Sequence, residues 1–192
     1  MLAGIVNLRR IQMLIIKNVQ CSSLNDFEKK IGMELPQELR HFIEVYNGGE
    51  TPNTKVISKN VSTDIHVFYG LGVEEYSLGN IRCFDKNENK FLPIAIDSFG
   101  NEFCIDLKGN NSIWFCDHEK GNKMIYVADS LKEFISNCES ETIKDSARKT
   151  PEEREQILLS KGKGANITDG LRQMWKDEYE KYSNCTLVEV DI

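Results

Sequence analysis

Two apolar rhythms divide the chain. Between Leu24 and Tyr46 apolar residues recur at helical spacing, with Leu24, Phe27 and Ile31 on one face and then Leu39, Phe42, Ile43 and Tyr46 on another. This predicts two helices. Pro36 falls in the first turn of the second, where a missing N–H costs nothing, and Gly48 and Gly49 are expected to stop it with a left-handed residue. A polar stretch after them reads as a loop. The period then changes to two: "DIHVFYGLG" predicts a strand near 64–70, and short strands are expected near 91–97, 102–107, 112–118 and 123–128. Between these groups, Tyr76 to Phe84 reads as a short helix.

After the strands, "ADSLKEFISNC" restores the helical period, with a capping box from Ser130 to Glu133 and a face of Leu131, Phe134, Ile135 and Cys138. "CESETIKDSARK" reads as a linker. A further helix starts at Thr150 and Pro151, with acids in its first turn. "KGKGAN" ends it, and "ITDGLRQMWKDEYEKY" is again amphipathic through Ile167, Leu171, Met174, Trp175 and Tyr182. The closing "CTLVEVDI" alternates as an edge strand would. Strands grouped together, with helices before and after, give an α+β fold in which N-terminal and C-terminal helices flank a central antiparallel sheet.

The stretch "FLPIAIDSFGNEFCIDLKG", residues 91–109, carries several carboxylates in an apolar run. With "SFGN" as a hairpin turn, Asp97 faces Glu102, Ile96 faces Phe103 and Pro93 faces Asp106. Leu92, Ile94 and Ile96 then share the core face with Phe103, Ile105 and Leu107. Continuing through "KGNN" places Trp114 and Cys116 on that face, and Ile113, Phe115 and Asp117 on the other. Asp97 and Asp106 lie about 13 Å apart at strand rise, too far to share a metal or a proton. Asp97, Glu102 and Asp117 instead meet at one end and on one face of the sheet, beside Ala95, Cys104 and Phe115. Three readings follow: a wet turn end, an acidic patch for a basic partner, or a divalent-cation site.

"WFCDHE" raises a Cys116–His118 pair, but neighbours two apart on a strand are about 7 Å from each other, beyond the hydrogen bond that activates a thiol. A packed cysteine and a strand-end histidine are expected. His41 and His66 each stand alone. There is no GxSxG, phosphate-binding glycine loop or HExxH. "YNGG" follows a helix and lacks a downstream lysine, so it reads as a helix stop.

Composition narrows the classes further. The 192 residues carry 24 basic and 30 acidic side chains, a net charge of −6. Nucleic-acid binding needs the opposite sign, while a basic protein partner would be attracted. Six cysteines without a CxxC pair argue against structural zinc and for reduced thiols in a cytoplasmic protein. "IQMLII" is too short to span a membrane, and no leader pattern precedes it. Met13 is a plausible start, with the residues before it a loose tail.

In order along the chain, "LPQELRHFIEVYNGG", "FLPIAIDSFGNEFCIDLKG", "IWFCDHE" and "VADSLKEFI" resemble the SUKH superfamily, which includes the yeast cell-wall (glucan synthesis) regulator and many bacterial immunity proteins. The resemblance covers about residues 23–138, leaving 1–22 as an N-terminal strand or tail and 139–192 as a helical extension with an edge strand. It implies an α+β fold, no enzymatic activity, no cofactor and a protein partner. The bacterial branch implies an antidote that neutralises a toxin, often a basic nuclease; the yeast branch implies a regulatory scaffold. A metal-dependent hydrolase is the third class. The partner-contact residues expected from the hairpin register are Asp97, Glu102 and Asp117, with Phe99 and Phe115 as apolar anchors.

Overall fold

The structure is a computed structural model that describes residues 12–15, 23–72, 76–86, 88–141, 143–183 and 185–192. Expectations placed on 1–11 and 16–22, including the loose tail and Cys21, lie outside the described residues. The chain forms two compact units: one of residues up to Glu141 together with Leu187–Ile192, the other Thr142–Thr186.

The larger unit is α+β, with helices on a curled antiparallel sheet. Its helices are α1 (Leu24–Ile31), α2 (Gln37–Tyr46) and α3 (Leu131–Ser136). Its strands are β1 (Gln12–Ile15), β2 (Gly49–Ile57), β3 (Ser62–Phe68), β4 (Phe84–Lys86), β5 (Asn89–Ile96), β6 (Glu102–Asp106), β7 (Ile113–Asp117), β8 (Lys123–Ala128), β9 (Cys138–Ser140) and β10 (Thr186–Glu189). They run in the order β10-β1-β2-β3-β5-β6-β7-β8, with β9 sharing an edge of β2 and β4 an edge of β5.

All three helices pack on one sheet face. Phe42 of α2 meets Phe68 of β3, and Phe134 of α3 meets Phe103 of β6 with ring centroids 4.9 Å apart. Phe103 in turn stacks on Phe115 of β7, so one aromatic row ties helices to sheet. Each such ring buries a large apolar area, worth about 1.5–3 kcal/mol. The opposite face carries a smaller cluster of Phe91, Cys104 and Cys116, with Phe84, Trp114 and Met124 packed against it.

The residues between α2 and β3 were expected to be a loop, yet they form β2. Their polarity hides a strand that is hydrogen-bonded along both edges, to β3 and to β1 and β9. The expected helix from Tyr76 to Phe84 is not formed. Leu78–Asn80 make a turn, Gly70 bridges Ser77, and Phe84 opens a short strand against Phe91. The start of the expected linker is β9.

The helix stop also differs in detail. Asn47 takes the left-handed conformation first, at φ 52°, and its side chain exchanges hydrogen bonds with the backbone of Leu71. Gly48 follows at φ 75°, and a Cβ there would lie 2.6 Å from the Phe68 carbonyl oxygen. "YNGG" is therefore a clamp that fixes the end of α2 to the end of β3. The C-terminus is held by the same helix: the Tyr46 hydroxyl donates to the Asp191 carbonyl (3.1 Å) and accepts from the Asp191 N–H (2.9 Å).

The smaller unit is a helical hairpin of α4 (Pro151–Ser160) and α5 (Asp169–Tyr182), preceded by a 3-10 turn, Asp145–Arg148. Thr150 and Glu153 form a capping box, and Thr168 caps α5. Among its described residues the buried ones are few: Ala147, Arg154 and Trp175. Arg154 lies over the Trp175 ring, donates to Glu178 (2.6 Å) and to the Ser146 carbonyl, and Arg172 grips Glu155 through two hydrogen bonds. Charged pairs replace most of an apolar core here.

Replacing Gly48 by alanine combines a positive φ with a backbone collision, and is expected to cost about 2 kcal/mol or more. Denaturant unfolding measures it; a loss below half a kilocalorie would show that the clamp is not rigid.

Candidate partner-binding surface

Strands β6 and β7 end in the aspartates Asp106 and Asp117, and Asp97 directly follows β5. Each turns its carboxylate back onto the turn that follows. Asp106 accepts from Lys108 N (3.1 Å) and Gly109 N (3.0 Å), and Asp117 from Lys120 N (3.2 Å) and Lys120 Nζ (2.7 Å). Short acidic side chains at strand ends favour this geometry because they mimic a backbone turn. The Lys120 ammonium and amide hold Asp117 below the usual carboxylate range.

Asp97 is the most heavily used. It is 2% exposed and takes four hydrogen bonds: from Phe99 N (2.9 Å) and Asn101 N (2.8 Å) on Oδ1, and from Asn101 Nδ2 (3.0 Å) and Thr63 Oγ1 (2.8 Å) on Oδ2. Asn101 passes the network on. Its Oδ1 accepts from the His118 N–H (3.1 Å) and sits 2.8 Å from His118 Nδ1, which assigns the ring proton to Nδ1. Asp64 accepts from the Ser98 N–H (3.0 Å) and hydroxyl. The β5–β6 turn is thus wired to β3 on one side and to the β7–β8 turn on the other.

At the tip of that turn stands Phe99, 72% exposed. Two depressions flank it. One, of about 460 Å³, is bounded by Val56, Ile57, Val61 and Phe99. The other, of about 280 Å³, lies between the β2–β3 loop and the β7–β8 turn and is bounded by Asn101, Phe115, Asp117, Glu119 and Lys120. The β2–β3 loop is braced across this mouth, Asn60 Nδ2 donating to the Tyr126 carbonyl of β8 at 3.2 Å.

The expected hairpin register is off by one at the turn end and by two beyond a bulge. Ile96 pairs with Glu102, Ala95 with Phe103 and Pro93 with Cys104, leaving Ile94 as the extra residue of a bulge. The core faces of β5 and β6 are as expected. Strand β7, however, pairs with β6 one residue out of the expected register, Phe103 with Phe115 and Ile105 with Ile113. Ile113 and Phe115 therefore belong to the main core and Trp114 and Cys116 to the other face, the reverse of the expected assignment. Pro93 in a paired strand was the available signal for the β5 bulge alone, since proline lacks a ladder N–H and concentrates at bulges.

The five expected contact residues are accordingly separated. Glu102, opposite Cys116, points to the face of Cys104, away from Asp97 and Asp117. It accepts from the Tyr69 hydroxyl (3.3 Å), and burial raises its pKa. Phe115 is 6% exposed and Asp117 7%, leaving Phe99 as the expected contact that stands fully in solvent. The Cys116 thiol lies 4.0 Å from Asn122 Oδ1, and burial raises its pKa, the opposite of what a nucleophile needs. Among the described residues no three His, Cys, Asp or Glu side chains gather as a metal site, and no helix is long and apolar enough to cross a membrane.

Opposite responses are expected from the two carboxylates. Asp97→Asn leaves buried donors facing an amide and should cost about 2–3 kcal/mol. Glu102 has a folded pKa above its unfolded value of 4.5, so its contribution is complete at low pH and is lost as pH rises through the raised pKa. Glu102→Gln should therefore melt above wild type at pH 7 and level with it at pH 4. Thermal melts at both pH values check this; equal losses for both variants would refute the division of roles.

Comparison with known proteins agrees with this architecture. A model of the SMI1 / KNR4 family (SUKH-1) matches residues 18–137. A similar protein, the SPbeta prophage-derived uncharacterized protein YokK of Bacillus subtilis (strain 168), is 28% identical over 146 residues, covering 62% of this chain and 74% of the relative. No solved structure matches. The matched segment runs from before α1 to the end of α3 and takes in every residue of the Phe99 surface, and the chain belongs to the SMI1 / KNR4 family (SUKH-1).

Proposed function

We propose that this chain is a non-catalytic protein-binding module, an immunity protein that neutralises a cognate toxin, with a basic, nuclease-type domain as its partner. The observation that carries the reading is Phe99, an aromatic side chain left in solvent on a turn fastened by buried hydrogen bonds. Folding gains nothing from that exposure, while a rigid aromatic is the commonest kind of binding anchor because little entropy is lost on docking. The prophage origin of the similar protein fits an antidote carried on mobile DNA better than a cell-wall regulator.

Charge supports the choice of partner. The sequence of the smaller unit is close to neutral, so the excess acid of the chain resides in the larger one. A net negative field accelerates encounter with a basic domain and weakens with salt. Asp97 and Phe115 act beneath the surface, fixing the turn; Phe99, with Asp117 at the rim, meets the partner. Glu102 takes part through the other face by supporting Tyr69.

The toxin domain encoded beside this gene should kill when expressed alone and be tolerated when this chain is co-expressed. Phe99→Ala should weaken the purified complex at least about tenfold, as for an interface hot spot. Absence of rescue by this chain, against every toxin domain encoded next to it, would sink the antidote reading.

A further inference from the structure

We propose that the two depressions beside Phe99 form a two-part reader for an extended segment of the partner, one part taking a bulky apolar side chain and the other a basic one. The inference rests on the reading that this chain binds protein, and specifies the chemistry of what it grips.

The larger depression has an apolar floor. Val56 and Val61 are buried members of the main core, and Ile57 at the rim is 54% exposed. With Phe99 as its wall, it offers an apolar side chain contact on several sides. At about 460 Å³ it lies within the range of pockets that bury ligands, about 300–1,000 Å³. Its charged neighbours are of both signs: Asp64 accepts from Ser98, and Lys55 stands opposite Asp64 and Glu139 in the strand ladder.

The smaller depression is different. Asn101 is consumed by Asp97 and His118, and the Asp117 carboxylate is neutralised by Lys120 at 2.7 Å. Glu119 is exposed, and no hydrogen bond or ion pair engages its carboxylate within the turn. The wall therefore keeps one negative charge in excess, and an arginine or lysine is its complement. Phe99 borders both depressions, so the two side chains come from positions close together on one segment. Both depressions sit on a braced frame, the Asn60–Tyr126 hydrogen bond and the Asp97 network, which lowers the ordering cost of capture.

The test uses a random seven-residue peptide library displayed on phage, selected on the immobilised full chain. Enriched peptides should pair an aromatic or large aliphatic residue with Arg or Lys within three positions. The synthesised peptide should lose at least tenfold in affinity to Phe99→Ala and to Ile57→Asp, and Glu119→Lys should reverse the preference so that an Arg→Glu peptide binds better. Phe99, Ile57 and Glu119 are exposed, so unchanged thermal melts will separate lost binding from lost folding. No enrichment over the Phe99→Ala variant, enrichment of peptides without a basic residue, or indifference to Glu119→Lys would each overturn the proposal. A concentration-dependent dimer abolished by Phe99→Ala would overturn it too, giving the surface to a second copy. Toxin rescue without peptide selection would refute the two-part reader alone; selection without rescue would keep the reader and remove the antidote.

Discussion

The buried carboxylate of Asp97 is the constraint from which the arrangement of the proposed binding end follows. It takes four hydrogen bonds from three residues, two within its own turn and one on the neighbouring strand β3. Desolvating a carboxylate is expensive, and only near-complete hydrogen bonding offsets it. That condition leaves the turn a single conformation. Asn101 must present its amide N–H to Asp97, so its carbonyl oxygen must face His118, and the β7–β8 turn is drawn into place. Gly100 completes the reversal at φ 87°, with His118 near enough that a Cβ would contact its ring at 3.6 Å. Phe99, between two committed residues, is turned outward.

Much of the fold was legible in the sequence because one face of each element is buried. Helices α1, α2 and α3 were plain from Leu24 and Phe27, from Leu39, Phe42 and Ile43, and from Leu131, Phe134 and Ile135, all of which lie in the main core. Strand β2 was not legible: its alternation is carried by Thr54 and Val56 among polar residues, and its order comes from partners distant in sequence. Tertiary pairing overrides local pattern most easily in such strands.

The site was legible as a place and not as an arrangement. The turn "SFGN" was found and the core faces of β5 and β6 were assigned correctly, but a turn placed at "KGNN" shifted β7 by one residue and moved its side chains to the wrong face. The chemistry of the aspartates was obscured for a related reason. Asp97, Asp106 and Asp117 look like acid density in one dimension, yet in three dimensions each is spent on its own turn. A carboxylate two to four residues before a run of turn N–H groups is a cap before it is a ligand.

This separation changes how charge and contact divide the work of binding. With Asp97 buried, Glu102 on the far face and Asp117 matched by Lys120, the smaller depression is left with the single exposed charge of Glu119 in excess. The −6 of the whole chain can therefore steer a basic partner without specifying where it lands, because a diffuse field acts on encounter rates more than on fit. Location has to come mainly from shape, with Glu119 as the one local charge to add to it. Burying Phe99 would contribute about 1.5–3 kcal/mol, and its turn has already lost the freedom that docking would otherwise remove. One anchor is still far short of the roughly 800 Å² that each side of a stable interface buries. The remaining area has to come from surfaces held level with it, and the frame supplies them: the β2–β3 loop through Asn60 and the β7–β8 turn through His118. On the proposed reading, loosening either brace would cost affinity while leaving Phe99 in place, and the hydrogen bonds of Asn60 and Asn101 then belong to the proposed binding surface as much as Phe99 does.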